Sequence, residues 1–271
     1  MDQAIRTNPA RTVLFDMDGT LGPTLDCLIG VQQRAAASVL GRPVSREEVC
    51  RGFGLSEPGA MQILLGGRAE EGFRRYVAEI ERVHAVECPA PFPGIPRLLS
   101  ALRDRGLPLG LISGRCRETL DITLRQFGLA ACFSYIGAGD PTHEVKDLRA
   151  KEALLQFGLT PADAVYVGDM TSDVRFAKRL GMRAVAVSYA SYSGREALRE
   201  AGPDALCDST PWTSWSTRCF PCCSRDFWLL FFWKFLVIRP FCDIFTKIAF
   251  FSYTNGLYYI LYMCRQDGTT M

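Results

Sequence analysis

Hydrophobic positions in the first 210 residues follow two alternating rhythms. Short apolar runs rich in β-branched residues occur at Thr12-Val13-Leu14-Phe15, Leu107-Pro108-Leu109-Gly110-Leu111-Ile112, Ala164-Val165-Tyr166-Val167 and Ala184-Val185-Ala186-Val187. Runs with so little polar interruption suit strands covered on both faces. Between them, residues 118–127, 147–157 and 172–180 carry helical spacing, and Gly128, Gly158 and Gly181 stand where a helix would stop. Strands alternating with helices predict an α/β fold, a doubly wound and mostly parallel sheet.

One stretch breaks the alternation. Between about Thr24 and Val86 no strand pattern occurs, and residues 25–40, 45–51, 60–65 and 70–86 read as helices. Ser45-Arg46-Glu47-Glu48 is a capping-box signature for the second of them. Roughly sixty residues of helix make an awkward crossover between two strands, so a separate all-α subdomain is expected. The Pro89-Ala90-Pro91-Phe92-Pro93-Gly94 segment would be its stiff return hinge. The predicted division is a core of residues 1–22 and 89–210, a helical insertion of residues 23–88, and a tail of residues 211–271.

Composition sets the tail apart. All four tryptophans (Trp212, Trp215, Trp228, Trp233) lie in it. Residues 227–238 form an aromatic apolar run carrying Lys234, and residues 244–263 form another, interrupted by Lys247, Asn255 and Gly256. The first is too short to span a bilayer and the second is marginal. Membrane contact is expected only through residues 227–263, with Cys222-Cys223 beside them open to lipidation. Two other readings stand alongside: an irregular packed appendage, or an aberrant end such as an unspliced or frame-shifted extension.

Charge and cysteine usage narrow the class. A formal net charge of +2 gives no basic stripe for nucleic acid. Six cysteines are scattered singly through the first 210 residues, and the short polar stretch of residues 1–11 has no signal core. Reduced thiols in a cytoplasmic enzyme follow. With only His84 and His143 present, zinc sites and Ser-His-Asp triads are poorly supported. The Cys219-x-x-Cys222-Cys223 cluster has no partner pair at zinc-finger spacing.

In open α/β sheets, ligands bind outside the carboxyl ends of the strands. Asp16, Ser113 and Asp169 each lie at the end of an apolar run, so parallel strands would gather them at one edge. In Phe15-Asp16-Met17-Asp18-Gly19-Thr20, one carboxylate can attack while the other handles protons. Gly19 lets the chain turn and Thr20 can hold the loop; the plain alternative is a solvated acidic turn. Asp16 and Asp169 form the carboxylate pair that magnesium prefers, and Asp173 follows four residues after Asp169, where Asp173 or Ser172 could instead cap a helix. Ser113-Gly114-Arg115 offers a hydroxyl and backbone N–H groups to a phosphate oxygen, or simply an N-cap serine. A lysine ahead of the next helix can neutralise a phosphoryl group; Lys146 fits better than Lys151, which falls within the helical pattern.

Taken in order, Asp16-Met17-Asp18-Gly19-Thr20, Ser113, Lys146 and Gly168-Asp169-x-x-x-Asp173 resemble the haloacid dehalogenase-like hydrolase superfamily. The resemblance covers residues 11 to about 208. It implies that Asp16 forms an aspartyl-phosphate and that Asp18 protonates the leaving group and then activates water. It further implies that Asp16, the Asp18 carbonyl and Asp169 hold Mg²⁺ with Asp173 orienting that shell, and that Ser113 and Lys146 grip phosphoryl oxygens. An aspartate at position 18 sets aside dehalogenase and phosphonatase activities. The helical insertion looks like the cap of phosphoglycolate phosphatases, and Arg51-Gly52-Phe53-Gly54-Leu55-Ser56 resembles a cap loop from which Arg51 could meet a substrate carboxylate. Thr20, Gly114, Arg115 and Arg51 are thus the expected substrate contacts. One departure is Lys146-Asp147, where many relatives have Lys-Pro. The implied function is a Mg²⁺-dependent phosphatase acting on a small phosphorylated metabolite, phosphoglycolate-like or a sugar phosphate. The alternatives are a phosphosugar mutase, or a non-catalytic or membrane-tethered variant created by the tail.

Overall fold

The computed structural model describes residues 9–190, 192–208, 250–254 and 257–261. Six parallel strands form the central sheet: β1 (Thr12–Phe15), β2 (Leu109–Ile112), β3 (Tyr135–Gly137), β4 (Ala164–Gly168), β5 (Arg183–Val187) and β6 (Ala205–Cys207). Their order is β3-β2-β1-β4-β5-β6, so the winding reverses between β1 and β4. A reversal of this kind leaves a crevice at the carboxyl edge, because the connections on either side leave in opposite directions. Register places Phe15 beside Leu111 on one flank and Val167 on the other.

The apolar runs are buried on both faces, as the sequence pattern predicts. Val13, Phe15, Val165, Val167, Val185 and Val187 belong to one core cluster, with α5 (Ile95–Arg103) and α6 (Arg117–Phe127) packed on it. Leu14, Tyr166, Ala184 and Ala186, the alternate positions, belong to another, covered by α7 (Lys146–Phe157), α8 (Thr171–Leu180) and α9 (Arg195–Glu200). Side chains alternate across a strand, so continuous apolar sequence is what a doubly covered sheet demands.

Residues 25–87 contain helices only: α1 (Leu25–Leu40), α2 (Arg46–Cys50), α3 (Glu57–Leu65) and α4 (Ala69–Glu87), with one 3₁₀ turn before α4. Their apolar stripes close on one another. Leu28, Val31, Ala35 and Val39 of α1 share a cluster with Tyr76, Ile80 and Val83 of α4, and from the sheet-covering helices only Ile122 joins them. The capping box at α2 is formed: Ser45 N–H donates to Glu48 at 2.9 Å and Glu48 N–H to Ser45 Oγ at 3.1 Å. After α4 the chain returns through residues 89–94, where Phe92 N–H donates to the Leu21 carbonyl at 2.9 Å.

Several elements differ from the sequence expectation. Strand β2 starts at Leu109, not Leu107. Proline has no N–H for a ladder, and the Pro108 carbonyl instead accepts the Thr12 hydroxyl at 2.8 Å. Strands β3 and β6 have three residues each, too few to show a period, and α5 and α9 were not foreseen. The six cysteines of the first 210 residues are free.

Strands β7 (Phe250–Thr254) and β8 (Leu257–Leu261) form an antiparallel pair in a separate compact unit. The apolar run at 227–238, and most of the tail on which its three readings rest, lie outside the described residues. Among the described residues no helix is long and apolar enough to cross a membrane.

Candidate active site

The carboxyl edge of β1 begins the site. Asp16 N–H donates to the Val167 carbonyl at 2.9 Å, which carries the strand pairing one residue past β1. The chain then turns sharply: Gly19 N–H reaches the Gly22 carbonyl at 2.9 Å, and Leu21 N–H the Met17 carbonyl at 2.9 Å. Gly19 has φ +81°, and a Cβ there would lie 2.3 Å from Asp169 Oδ2. Only glycine meets both demands. Thr20 is buried within this turn, its hydroxyl 3.4 Å from Asp169 Oδ1 and its carbonyl accepting the Tyr189 hydroxyl at 2.5 Å. It braces the loop and does not line the cavity, contrary to the expected substrate contact.

Asp169 follows β4 directly, and α8 starts two residues later. Asp173, in the first turn of α8, does two things. Its Oδ2 accepts the Met170 N–H at 3.1 Å, and its Oδ1 accepts the Lys146 ammonium at 2.8 Å. A Cβ at Gly168 would lie 2.4 Å from Asp173 Oδ2, so the strand end is as tightly fitted as the loop. Lys146 opens α7 and also donates to Asp16 Oδ1 at 2.8 Å. Lys151 is exposed farther along the helix.

Asp16, Asp169 and Asp173 offer carboxylate oxygens within 4.8 Å of one another, all buried. Lys146 contacts two of the three, while Asp169 Oδ2 is buried without a partner. One ammonium does not balance three carboxylates in a dry site, and the electrostatics say so. Burial, opposed by Lys146 and reinforced by Asp173 and Asp18, pushes the Asp16 carboxyl up to about 7. Burial, then the charges of Asp16 and Asp173, push Asp169 up to about 8. Burial alone would lower the Lys146 ammonium, but Asp16 and Asp173 hold it well above its ordinary value. Hard carboxylate oxygens, one of them unpaired, with surplus negative charge suit a small divalent cation such as Mg²⁺.

Ser113 follows β2, its N–H held by the Gly137 carbonyl at 2.9 Å. It is not an N-cap, since α6 starts at Arg117 behind Cys116. Its hydroxyl accepts the Arg115 N–H at 3.2 Å, and Ser113 and Gly114 both line the cavity. Gly139 presses against this loop so closely that a Cβ would lie 2.0 Å from the Gly114 carbonyl oxygen.

Asp18 faces the same cavity from the other side of the β1 loop. Burial raises its carboxyl, against the pull of Arg115 and a hydrogen bond from the Thr24 hydroxyl. The Arg115 guanidinium is buried, and each of its three nitrogens has a partner. Its Nη1 lies 3.6 Å from Asp18 Oδ1 and 2.7 Å from Thr123 Oγ1; Nε reaches Glu57 Oε1 at 3.4 Å; Nη2 reaches the Thr119 carbonyl at 2.6 Å. These contacts make Arg115 an internal brace, and it also lines the cavity in which the sequence places it as a substrate contact.

Glu57 is the residue that the sequence did not reveal. It sits in the first turn of α3 and accepts Cys116 N–H at 2.6 Å and Thr119 Oγ1 at 2.5 Å, so the helical insertion caps a helix of the sheet domain. An acid in a first helical turn is ordinary, and nothing local marks this one. Thr24 was likewise unmarked. His84, buried at the far end of this network, meets Thr123 Oγ1 at 3.0 Å, and burial followed by Arg115 lowers it to about 4.

Arg51 is not brought to the cavity. It is exposed at the end of α2 and pairs with Glu47 at 3.9 Å. The chain packs at Gly52, where a Cβ would meet Ala60 at 2.6 Å, and residues 52–55 line the cavity in its place. The cavity measures about 220 Å³, below the roughly 300–1,000 Å³ of sites for drug-sized ligands.

The family model described as haloacid dehalogenase-like hydrolase matches residues 13–187. A phosphoglycolate phosphatase of Synechococcus elongatus is 31% identical over 206 residues, covering 73% of this chain and 93% of that protein. The pyrophosphatase PpaX of Halalkalibacterium halodurans is 27% identical, covering 74% and 93%. Among solved structures, a haloacid dehalogenase-like family hydrolase of Streptococcus pneumoniae superimposes with a TM-score of 0.59 at 22% identity, covering 74% of this chain and 94% of that one.

Proposed function

The chain belongs to the haloacid dehalogenase-like hydrolases, and on that footing we propose that it is a Mg²⁺-dependent phosphatase of a small phosphomonoester, acting through an aspartyl-phosphate at Asp16. The observation that carries this reading is the buried trio Asp16, Asp169 and Asp173, with Lys146 bridging two of them and one Asp169 oxygen unpaired.

Asp16 is the nucleophile. Its Oδ1 is held by Lys146, which fixes the rotamer and leaves the other oxygen to attack phosphorus in line. Lys146 and the Ser113 hydroxyl take the equatorial phosphoryl oxygens, where charge is spread in the transition state. Asp16, the Asp18 main-chain carbonyl and Asp169 would hold Mg²⁺, with Asp173 orienting them, and the ion when bound would supply the positive charge that lets a carboxylate approach a dianionic phosphate. Asp18, raised by burial, can carry a proton to the departing alkoxide and later take one from the water that opens the acyl phosphate. Residues 23–88 act as the cap over a core of residues 1–22 and 89–210, excluding water from the reaction. The 220 Å³ cavity fits a metabolite of phosphoglycolate or small sugar-phosphate size.

The test is phosphate release from a panel of small phosphomonoesters, with and without chelator. Asp16→Asn is expected to lower kcat by about 10³-fold or more with an unchanged melting temperature. Undiminished turnover in that variant overturns the covalent route, and full activity in excess chelator removes the metal.

A further inference from the structure

A line of charge crosses from the helical insertion to the catalytic edge through Glu57, Arg115 and Asp18. The three residues come from the first turn of α3, the loop after β2 and the loop after β1. The guanidinium stands between the two carboxylates, with Nε 3.4 Å from Glu57 Oε1 and Nη1 3.6 Å from Asp18 Oδ1. Neither contact is the short two-pronged pair that arginine forms with a carboxylate when nothing holds it back. Its remaining partners, Thr119 and Thr123, are uncharged. Glu57 is itself anchored, by the Cys116 N–H at 2.6 Å and the Thr119 hydroxyl at 2.5 Å. Two acids thus draw on one buried cation from opposite sides.

What this does for Asp18 follows from which oxygen is used. The Thr24 hydroxyl and Arg115 both meet Oδ1, which leaves Oδ2 for the cavity that Asp18 lines. Oδ2 is then the atom through which Asp18 exchanges a proton with a leaving oxygen. If Glu57 were neutral, Asp18 would be the one carboxylate paired with Arg115. Attraction between opposite charges is strong where water is excluded, and the fork of the guanidinium is built to take both oxygens of one carboxylate. Arg115 would then close on Asp18 and occupy Oδ2.

We propose that Glu57 is a positioning residue for proton transfer to the leaving group: by drawing Arg115 Nε toward the insertion, it keeps the guanidinium off Asp18 Oδ2, so that this oxygen stays open to the departing alkoxide. Glu57 acts through Arg115 and touches no reacting atom. This rests on the phosphatase reading, with Asp18 as the acid, and refines it. The proton donor is completed by a side chain of the helical insertion and not by the sheet domain alone.

The leaving group supplies a readout that a packing defect does not move. Ethyl phosphate must lose a strongly basic alkoxide and needs a proton, whereas 4-nitrophenyl phosphate releases a stable anion and needs little help. The ratio of their kcat/KM values, taken on one preparation of the full chain with Mg²⁺, is independent of how much of the protein is folded. Glu57→Gln keeps the size and a carbonyl acceptor for Cys116 and Thr119 but removes the charge. It is expected to lower kcat/KM for ethyl phosphate by about tenfold or more, and for 4-nitrophenyl phosphate by about threefold at most. Asp18→Asn should show the same asymmetry, larger. Adding Arg115→Met to Glu57→Gln removes the cation that Glu57 restrains, and the ratio should climb back toward the wild-type value. Equal losses on the two esters in Glu57→Gln, or a ratio that does not recover in the double variant, overturns the proposal. An unchanged ratio in Asp18→Asn removes Asp18 as the acid and this role of Glu57 with it. If the wild type releases phosphate from neither ester, the phosphatase reading itself has failed.

Discussion

Half-buried Lys146 and buried Arg115 are both cations set between two carboxylates, and they face the same cavity. Around Arg115 every guanidinium nitrogen has a partner, and within its network only His84 Nδ1, at the far end, is buried and unpaired. Its donors meet Asp18, Glu57, Thr119 and Thr123, and Glu57 in turn satisfies Cys116. Around Lys146 a third carboxylate, Asp169, stands near with an oxygen that nothing satisfies, and two acids are raised to about 7 and about 8. Similar ingredients thus give two kinds of assembly. A satisfied network fixes geometry, whereas an unsatisfied one stores a demand that a ligand can meet.

If that distinction is right, removing each cation should have an effect of a different kind. Arg115→Met strands Asp18 and Glu57 in a dry interior and is expected to cost about 3–5 kcal/mol of stability. That corresponds to a fall of roughly 10 °C in Tm by calorimetry. Lys146→Met should instead lower kcat by about 10²–10³-fold while Tm, measured with Mg²⁺, falls far less. A reversal of the two outcomes would mean the assemblies have been assigned the wrong way round.

A smaller effect follows from protonation. In the metal-free fold Asp16 and Asp169 keep their protons up to about 7 and about 8, whereas the unfolded chain releases them near 3.8. The folded state therefore binds more protons between those values, and the metal-free protein loses stability as pH rises from about 4 to 8. Mg²⁺ displaces those protons, so its stabilisation should grow across the same window. Between pH 6 and 8 the gain on adding Mg²⁺ should increase by about 1–3 kcal/mol, visible as a larger Tm shift at the higher pH. A shift that is equal at both values counts against the carboxylate trio as the metal site.

The smallest effect concerns Arg51. Its ion pair with Glu47 is exposed on both sides, and such pairs contribute about 0–1 kcal/mol. Arg51→Ala should leave kcat/KM within twofold for acidic and neutral substrates alike. A tenfold loss confined to an acidic substrate would return this arginine to the cavity.

How much of this could be read in advance depends on where the information lies. Asp16, Ser113 and Asp169 were legible because parallel strands convert position in an apolar run into position along one edge. Lys146 was placed by its location just ahead of a helix. Strands β3 and β6 were not legible, being three residues long and packed by tertiary contacts. Glu57 lies on a helix whose periodicity gives its face but not what that face meets. Arg51 misled because its neighbours do reach the cavity, and a turn at Gly52 sends the arginine outward. The helical insertion showed itself by what it lacked, a strand pattern, but its docking on the sheet domain could not be inferred.

That docking is made partly of bare backbone. Ser56 N–H donates to the Asp140 carbonyl at 2.9 Å, and a Cβ at Gly59 would lie 2.1 Å from the Pro141 carbonyl oxygen. Position 59 therefore works as a shim between the two layers, and its thickness sets the gap. Any residue larger than glycine there would prop the roof away from the floor, widening the chamber for bulkier esters while admitting the solvent that a closed chamber keeps out.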